Sequence, residues 1–476
     1  MDKGLLNKDG DLMTLPEKET NLEIPEPEKD KQKLNLLQIP VIKGIFQSRI
    51  FPGIFQYLTL VVFGVIVYEL IFGPGSAHDN FGTAMTWVLW WPLIPVIFVL
   101  LGRFWCAVCP FATVSDLIQK VVGVRGVVPR FLKSYGIWLI DFFFILITWA
   151  DHVFGIVESP RGSGILLLMI TTGVIVAGAF FERRTWCRYL CFLGGLSGNY
   201  ARSGALELRA TPEICSKCST KSCFNGNEQV PGCPMFEFPR AMDNSARCNL
   251  CGYCVKTCPN DSIRISPRVP SSELWFINRP KLEESFLAIV IMGIVFVQNI
   301  TMLEVWKQIL AWLESALGTT SYSITFTVTF LVAMALPVAA LALASRLSKL
   351  GNGESTLTNF ARFGYALIPL DLAGHVAHNL FHLLAEGKAV VFTALALLGI
   401  ESHGSSPALV GPETIQVLQF LLLGLGVLGS LYGAYRIAKH HDGVKAWRSF
   451  TPMAGLIVVL GLINVYLFLL PMAMRM

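Results

Sequence analysis

Eight cysteines fall between positions 215 and 258 in two groups, Cys215, Cys218, Cys223 and Cys233-Pro234, then Cys248, Cys251, Cys254 and Cys258-Pro259. The second group reads C-x2-C-x2-C-x3-C-P. This run wraps a cubane iron–sulfur cluster, three close cysteines binding one cluster and the remote fourth binding its neighbour. By that rule cluster I takes Cys215, Cys218, Cys223 and Cys258, and cluster II takes Cys248, Cys251, Cys254 and Cys233. The first group is looser, with its insertions at 219–222 and 224–232, where loops lengthen without moving ligands. Tetrahedral zinc also uses C-x2-C pairs, but it leaves the third close thiol and the Cys-Pro without a role. Two [4Fe-4S] clusters in so small a domain link folding to metal binding, because the chain there cannot build an adequate core alone. They also lie close enough to pass single electrons.

Four more cysteines form a weak internal repeat. One copy reads Arg103-Phe104-Trp105-Cys106-Ala107-Val108-Cys109-Pro110, the other Arg184-Thr185-Trp186-Cys187-Arg188-Tyr189-Leu190-Cys191-Phe192. Each follows an apolar hairpin, so a pseudo-two-fold axis would bring four thiols to one place. Soft thiolates select copper(I), zinc or iron–sulfur. A third cluster, a copper site, a cycling dithiol and inert packing all remain open for Cys106, Cys109, Cys187 and Cys191. Arg103, Arg183, Arg184 and Arg188 nearby favour thiolate over thiol.

A third constellation is a stripe. Asp371, His375, His378, His382 and Glu386 share an arc of roughly 80° at about 100° per residue, and run over about 22 Å of helix. Ionisable groups inside a span are costly, face the bundle interior and mark proton, ion or cofactor paths. Haem b, quinone and a metal ion are all compatible with these residue types. His152, beside Asp151, lies at a similar depth to His382 and is the one candidate for a second haem ligand from another helix. Asp371 and Glu386 read as ends of a proton or ion path. The stripe lies toward the outer face and the thiols at the inner one. A gap of about 20 Å (about 13 residues of helix rise) would then need another cofactor between them.

The elements that must position these residues are membrane helices. The chain has 476 residues, 53% hydrophobic and 15% charged, against about 25% charged in a soluble domain. Its apolar residues gather in runs near 52–72, 83–101, 135–154, 164–181, 285–302, 323–345, 360–384, 415–435 and 452–470, about nine spans by length. Glu304 to Leu317 and Ala389 to Ile400 are too short to cross and suit the outer interface. Basic residues crowd alternate loops: Arg103 to Lys133, Arg183 to Arg202, Arg346 and Lys349, Arg436 to Arg448. That places the amino terminus and all twelve cysteines on the cytoplasmic side. The first residues carry no apolar run with a cleavage site, so they read as a tail and not a signal peptide. The expected organisation is a polar cytoplasmic tail over 1–43 and a four-helix membrane domain with paired cysteines over 44–205. An inserted ferredoxin-like α+β domain over 206–280 and a five-helix membrane domain with the histidine helix over 281–476 complete it. A net charge of +5 is too mild to suggest nucleic acid.

From about Phe51 to Ile300 these residues resemble the NapH, NosR and CcoG group of membrane-bound polyferredoxins, in which a helical membrane domain with paired-cysteine motifs carries a cytoplasmic two-cluster ferredoxin. Their membrane-face motif resembles C-x3-C-P. Here Cys106 and Cys109 are separated by two residues, and Cys191 is followed by Phe192. The resemblance implies a multi-pass inner-membrane protein that moves single electrons between a membrane or outer-side partner and the cytoplasm, with other redox subunits, electron carriers or the quinone pool as partners. A metal-handling protein, reducing or carrying copper for metalloenzyme assembly, is the alternative.

Overall fold

The computed structural model describes residues 34–400 and 406–471. The sequence expectation for the amino-terminal tail therefore lies mostly outside the described residues. Its last part is not loose: Leu37 is buried, and Ile42 and Phe46 pack on the apolar core of the cysteine-rich domain, where Lys43 pairs with Asp261 at 3.1 Å. Apolar residues at helical spacing gave that segment a face to bury.

In chain order the principal helices are α1 (Gly53–Phe72), α2 (Trp91–Leu101), α3 (Pro110–Val121), α4 (Arg130–Phe154), α5 (Pro160–Phe180) and α6 (Phe192–Ala201). A small domain with an antiparallel pair, β1 (Leu206–Ala210) and β2 (Ile263–Pro267), comes next, in register from Leu206 opposite Pro267 to Ala210 opposite Ile263. Then follow α7 (Leu282–Ile300), α8 (Tyr322–Asn352), α9 (Ile368–Glu386), α10 (Pro412–Asp442) and α11 (Ala446–Leu469). Among the described residues, seven helical stretches are long and apolar enough to cross a membrane, eight if the bent pair ending in α9 and Ala389–Leu397 is one span. One of the seven, Pro412–Leu469, holds both α10 and α11, joined by a single turn at 443–445.

Several helices run past the apolar limits. α4 begins at Arg130 and α8 continues to Asn352, since long basic side chains are tolerated at the ends of apolar helices. The centre is α7. In its most apolar window 67% of residues are buried, against 6% in α1, whose leucines, valines and phenylalanines face outward. One apolar cluster joins Phe98 of α2, Phe144 of α4, Leu196 of α6, Ile291 of α7, Phe330 of α8 and Leu372 of α9. The cysteine-bearing first half and the histidine-bearing second half therefore share a core.

Candidate functional site

The eight cysteines of the small domain line two cavities. One, of about 370 Å³, is lined by Cys233, Cys248, Cys251 and Cys254. The other, of about 280 Å³, is lined by Cys215, Cys218, Cys223 and Cys258. Each combines three closely spaced cysteines with one remote in sequence. Among the described residues no three His, Cys, Asp or Glu side chains converge on a single-ion position, so the sulfurs surround spaces and do not meet at points. The chemistry of the donors fits an iron–sulfur cubane. Burial pushes the Cys248 thiol up to about 12 and that of Cys251 up to about 11, with Cys233 nearby adding to both. Such thiols ionise only when a cation compensates them. Ser262 donates its backbone N–H to Cys258 Sγ at 3.3 Å, and its hydroxyl lies 3.0 Å from Cys215 Sγ. When bound, a cubane in either cavity supplies a one-electron site.

The two membrane-face pairs share one backbone design despite their different spacing. Cys106 lies in the one-turn helix Trp105–Val108 and Cys109 caps the start of α3, where Pro110 suits the first helical position. Cys187 lies in the one-turn helix Thr185–Tyr189 and Cys191 caps the start of α6. All four thiols fall within one another's electrostatic reach. Arg103 Nε is 3.4 Å from Cys106 Sγ, while its other nitrogens donate to the carbonyls of Ala246 and Cys187. Arg184, almost wholly buried, donates to the carbonyl of Cys106 at 3.0 Å and pairs with Asp116 at 2.9 Å. Burial is the larger effect on these thiols and pushes Cys187 up to about 11 and Cys191 up to about 12, while Arg184 and Arg103 pull Cys187, and Arg103 pulls Cys191, the other way. A positively charged metal centre would reverse that balance. Cys251 of the adjoining cavity packs on Ala107 and Val108, beside Cys106 and Cys109.

Aromatic rings occupy the expected gap between thiols and stripe. Trp105, next to Cys106, lies 5.7 Å from Trp90 between ring centroids, and Trp90 lies 6.2 Å from Trp91. Trp91 is 6.4 Å from Phe192, the neighbour of Cys191, and 5.9 Å from the His375 ring. The cause is α6, which turns back into the bundle after Cys191 and carries Tyr200 to His375, Oη to Nδ1 at 3.1 Å. Counting helix rise along α9 alone does not register an element that re-enters from its side.

Along α9, Asp371, His375 and His378 are buried, whereas His382 and Glu386 keep 15% and 25% of their side chains exposed. His378 Nδ1 lies 2.9 Å from Asn299 Oδ1, and the His378 and His382 rings are 5.3 Å apart. His152 is held elsewhere. Its ring stacks on Phe326 at 5.0 Å and its Nε2 faces Thr301 Oγ1 at 3.5 Å. Thr301 and Asn299 are two residues apart and so project to nearly opposite sides of the helix. Asp151 accepts from the backbone of Val157 at 2.8 Å, a local turn contact.

Several polar residues beside these groups lie outside the motifs. Asp141 is buried within α4 with both oxygens unbonded among the described residues. A lone carboxylate in an otherwise apolar run was the signal for it. Tyr200 gave no signal, since nothing in its local sequence says that α6 turns inward. Asp116, the partner of both Arg183 and Arg184, was hidden among basic residues counted only for topology.

A family model described as a 4Fe-4S binding domain matches residues 83–127 and 163–209, the two paired-cysteine copies. A second, also a 4Fe-4S binding domain, matches residues 242–264. The chain is 28% identical over 188 residues to the putative electron transport protein YccM of Escherichia coli, covering 34% of this chain and 51% of that protein. It is 24% identical over 196 residues to the ferredoxin-type protein NapH of the same organism, covering 37% of this chain and 66% of the relative. The chain thus spans about half of one curated relative and just under two thirds of the other. No solved structure matches it. Cysteine cavities, a repeated membrane-face pair and these matches make the chain similar to ferredoxin-type electron transport proteins with 4Fe-4S binding domains.

Proposed function

We propose that this protein is an inner-membrane iron–sulfur oxidoreductase that carries single electrons between a membrane-side partner near His375 and the cytoplasm. Counting α10, α11 and the bent α9 segment separately gives nine spans, with the ferredoxin-like domain over 206–280 on the cytoplasmic side, where basic loops gather. Cluster I is held by Cys215, Cys218, Cys223 and Cys258, and cluster II by Cys248, Cys251, Cys254 and Cys233. Cys106, Cys109, Cys187 and Cys191 hold a third cluster, a reading favoured by the 4Fe-4S model that matches both of their segments.

One observation carries the proposal: the redox-capable groups are contiguous. His375 touches Trp91, Trp91 touches Phe192 beside Cys191, and Cys251 packs beside Cys106 and Cys109. From there the second cavity leads to Cys218, which is partly exposed at the domain surface. Arg103 and Arg184 hold positive charge against the membrane-face thiols, and the tryptophans keep water from the space between them and His375.

The stripe's partner on this reading is a quinol or quinone and not a haem, because His152 is committed to Phe326 and Thr301 away from α9. The test is an anaerobic preparation of the full-length protein, with iron, sulfide and copper measured and the visible spectrum recorded. About twelve irons per chain are expected from three cubanes, with no haem band. Retained copper without the third set of four irons would sink this version in favour of metal handling.

A further inference from the structure

The stripe continues past His375 in a sequence of acid–base groups. Asp371, one turn before His375, is fully buried, and neither carboxylate oxygen has a hydrogen-bond partner among the described residues. The Tyr200 hydroxyl is within its electrostatic reach and bonds His375. Beyond His375 come His378, His382 with its ring 5.3 Å away, and Glu386 with Oε2 3.9 Å from His382 Nδ1. Exposure rises toward that end of α9, the end remote from the cysteine domain.

The opposite end is closed. Arg202 Nη2 lies 2.6 Å from Glu284 Oε2, the Tyr365 hydroxyl donates to the same oxygen at 2.6 Å, and Lys281 pairs with the other oxygen at 3.2 Å. The guanidinium stacks over the Tyr365 ring at 4.9 Å. A guanidinium keeps its protons, so an acid–base relay running through this buried pair toward the cysteine side is interrupted there.

We infer that Asp371, His375, His378, His382 and Glu386 form a one-ended proton path, open at Glu386 and barred at Arg202–Glu284, that releases substrate protons on the face opposite the clusters. The inference rests on the proposed electron-transfer function. A hydroquinone at His375 loses two electrons, one at a time, to the iron–sulfur clusters. Its two O–H bonds break, the quinone forms, and both protons pass through His375 and His378 toward Glu386. Electrons and protons leave by opposite faces, so the turnover separates charge across the membrane.

The test uses the full-length holoprotein in liposomes holding a hydroquinone with a long isoprenoid tail. Impermeant ferricyanide outside accepts electrons only from molecules whose clusters face outward, a pH dye inside reports luminal protons, and valinomycin with potassium removes the membrane potential. Luminal acidification in step with ferricyanide reduction, in the proton-to-electron ratio of a hydroquinone, is expected. Glu386→Gln and His382→Ala, each with wild-type iron content, should slow it by roughly 10²-fold. Ferricyanide reduction with protons appearing only outside overturns the path and spares the electron-transfer reading. No reduction at all overturns both. Unchanged acidification in both variants also overturns the path.

Discussion

Tyr200 holds His375: its hydroxyl sits 3.1 Å from Nδ1, on a helix that starts at Cys191 and ends against Arg202. A single short helix thus connects a membrane-face thiol, the inner member of the histidine stripe and the ion pair that closes the stripe's inner end.

Tyr200→Phe removes that hydrogen bond and leaves a ring of nearly the same shape. The lost bond costs about 1 kcal/mol of stability. Iron content is expected to stay at the wild-type level while reduction of the clusters by a hydroquinone slows by about tenfold, as for loss of one group orienting an acid–base residue. Stopped-flow bleaching of the cluster absorbance measures this, and an unchanged rate would remove Tyr200 from the site.

Cys251→Ser should lower iron by about four per chain, since a cubane with three thiolates left is labile. Cys187→Ala should do the same independently. Metal analysis separates them: if Cys187→Ala loses copper instead of iron, the membrane-face thiols are a copper site.

Stripping iron with a chelator should unfold the small domain but not the membrane helices. Its apolar core includes Cys215 with Cys248, Cys254 and Cys258 around it, so the ligands are themselves part of the packing, and binding free energy there is folding free energy. Limited trypsin digestion should then cut within residues 206–267, while the holoprotein resists. Equal resistance of the two forms would contradict this.

Asp116→Asn removes the carboxylate shared by Arg183 and Arg184 and leaves the buried Arg184 and the partly buried Arg183 uncompensated. A loss of about 3–5 kcal/mol is expected, as for breaking a buried ion pair from one side. Thermal unfolding in detergent reads it out, and a melting point within a degree of wild type would show that the pair is solvated in the protein.

Much of the molecule was legible in its residues. Cysteine spacing is local, so Cys248 to Cys258 announces its ligand geometry wherever the segment sits. Hydrophobic run length is local too, and every apolar run became a helix, with shifted ends where arginines and lysines extend it. The stripe on α9 follows from helical periodicity alone. Other features depended on how distant segments meet. Nothing near Tyr200 indicates that α6 re-enters the bundle, and nothing near Trp91 that it touches both His375 and Phe192. Arg103 and Arg184 read from their spacing as charges beside the thiols, but only the fold shows that they are buried there, Arg103 against Cys106 and Arg184 against Asp116. His152 looked available to the stripe by depth, but depth is one coordinate and the azimuth around α7 set it elsewhere. The sequence alone therefore determined which groups exist and their order along each helix. Only the tertiary structure decided which of them touch, because contact between helices depends on rotation and re-entry, and no single segment encodes those.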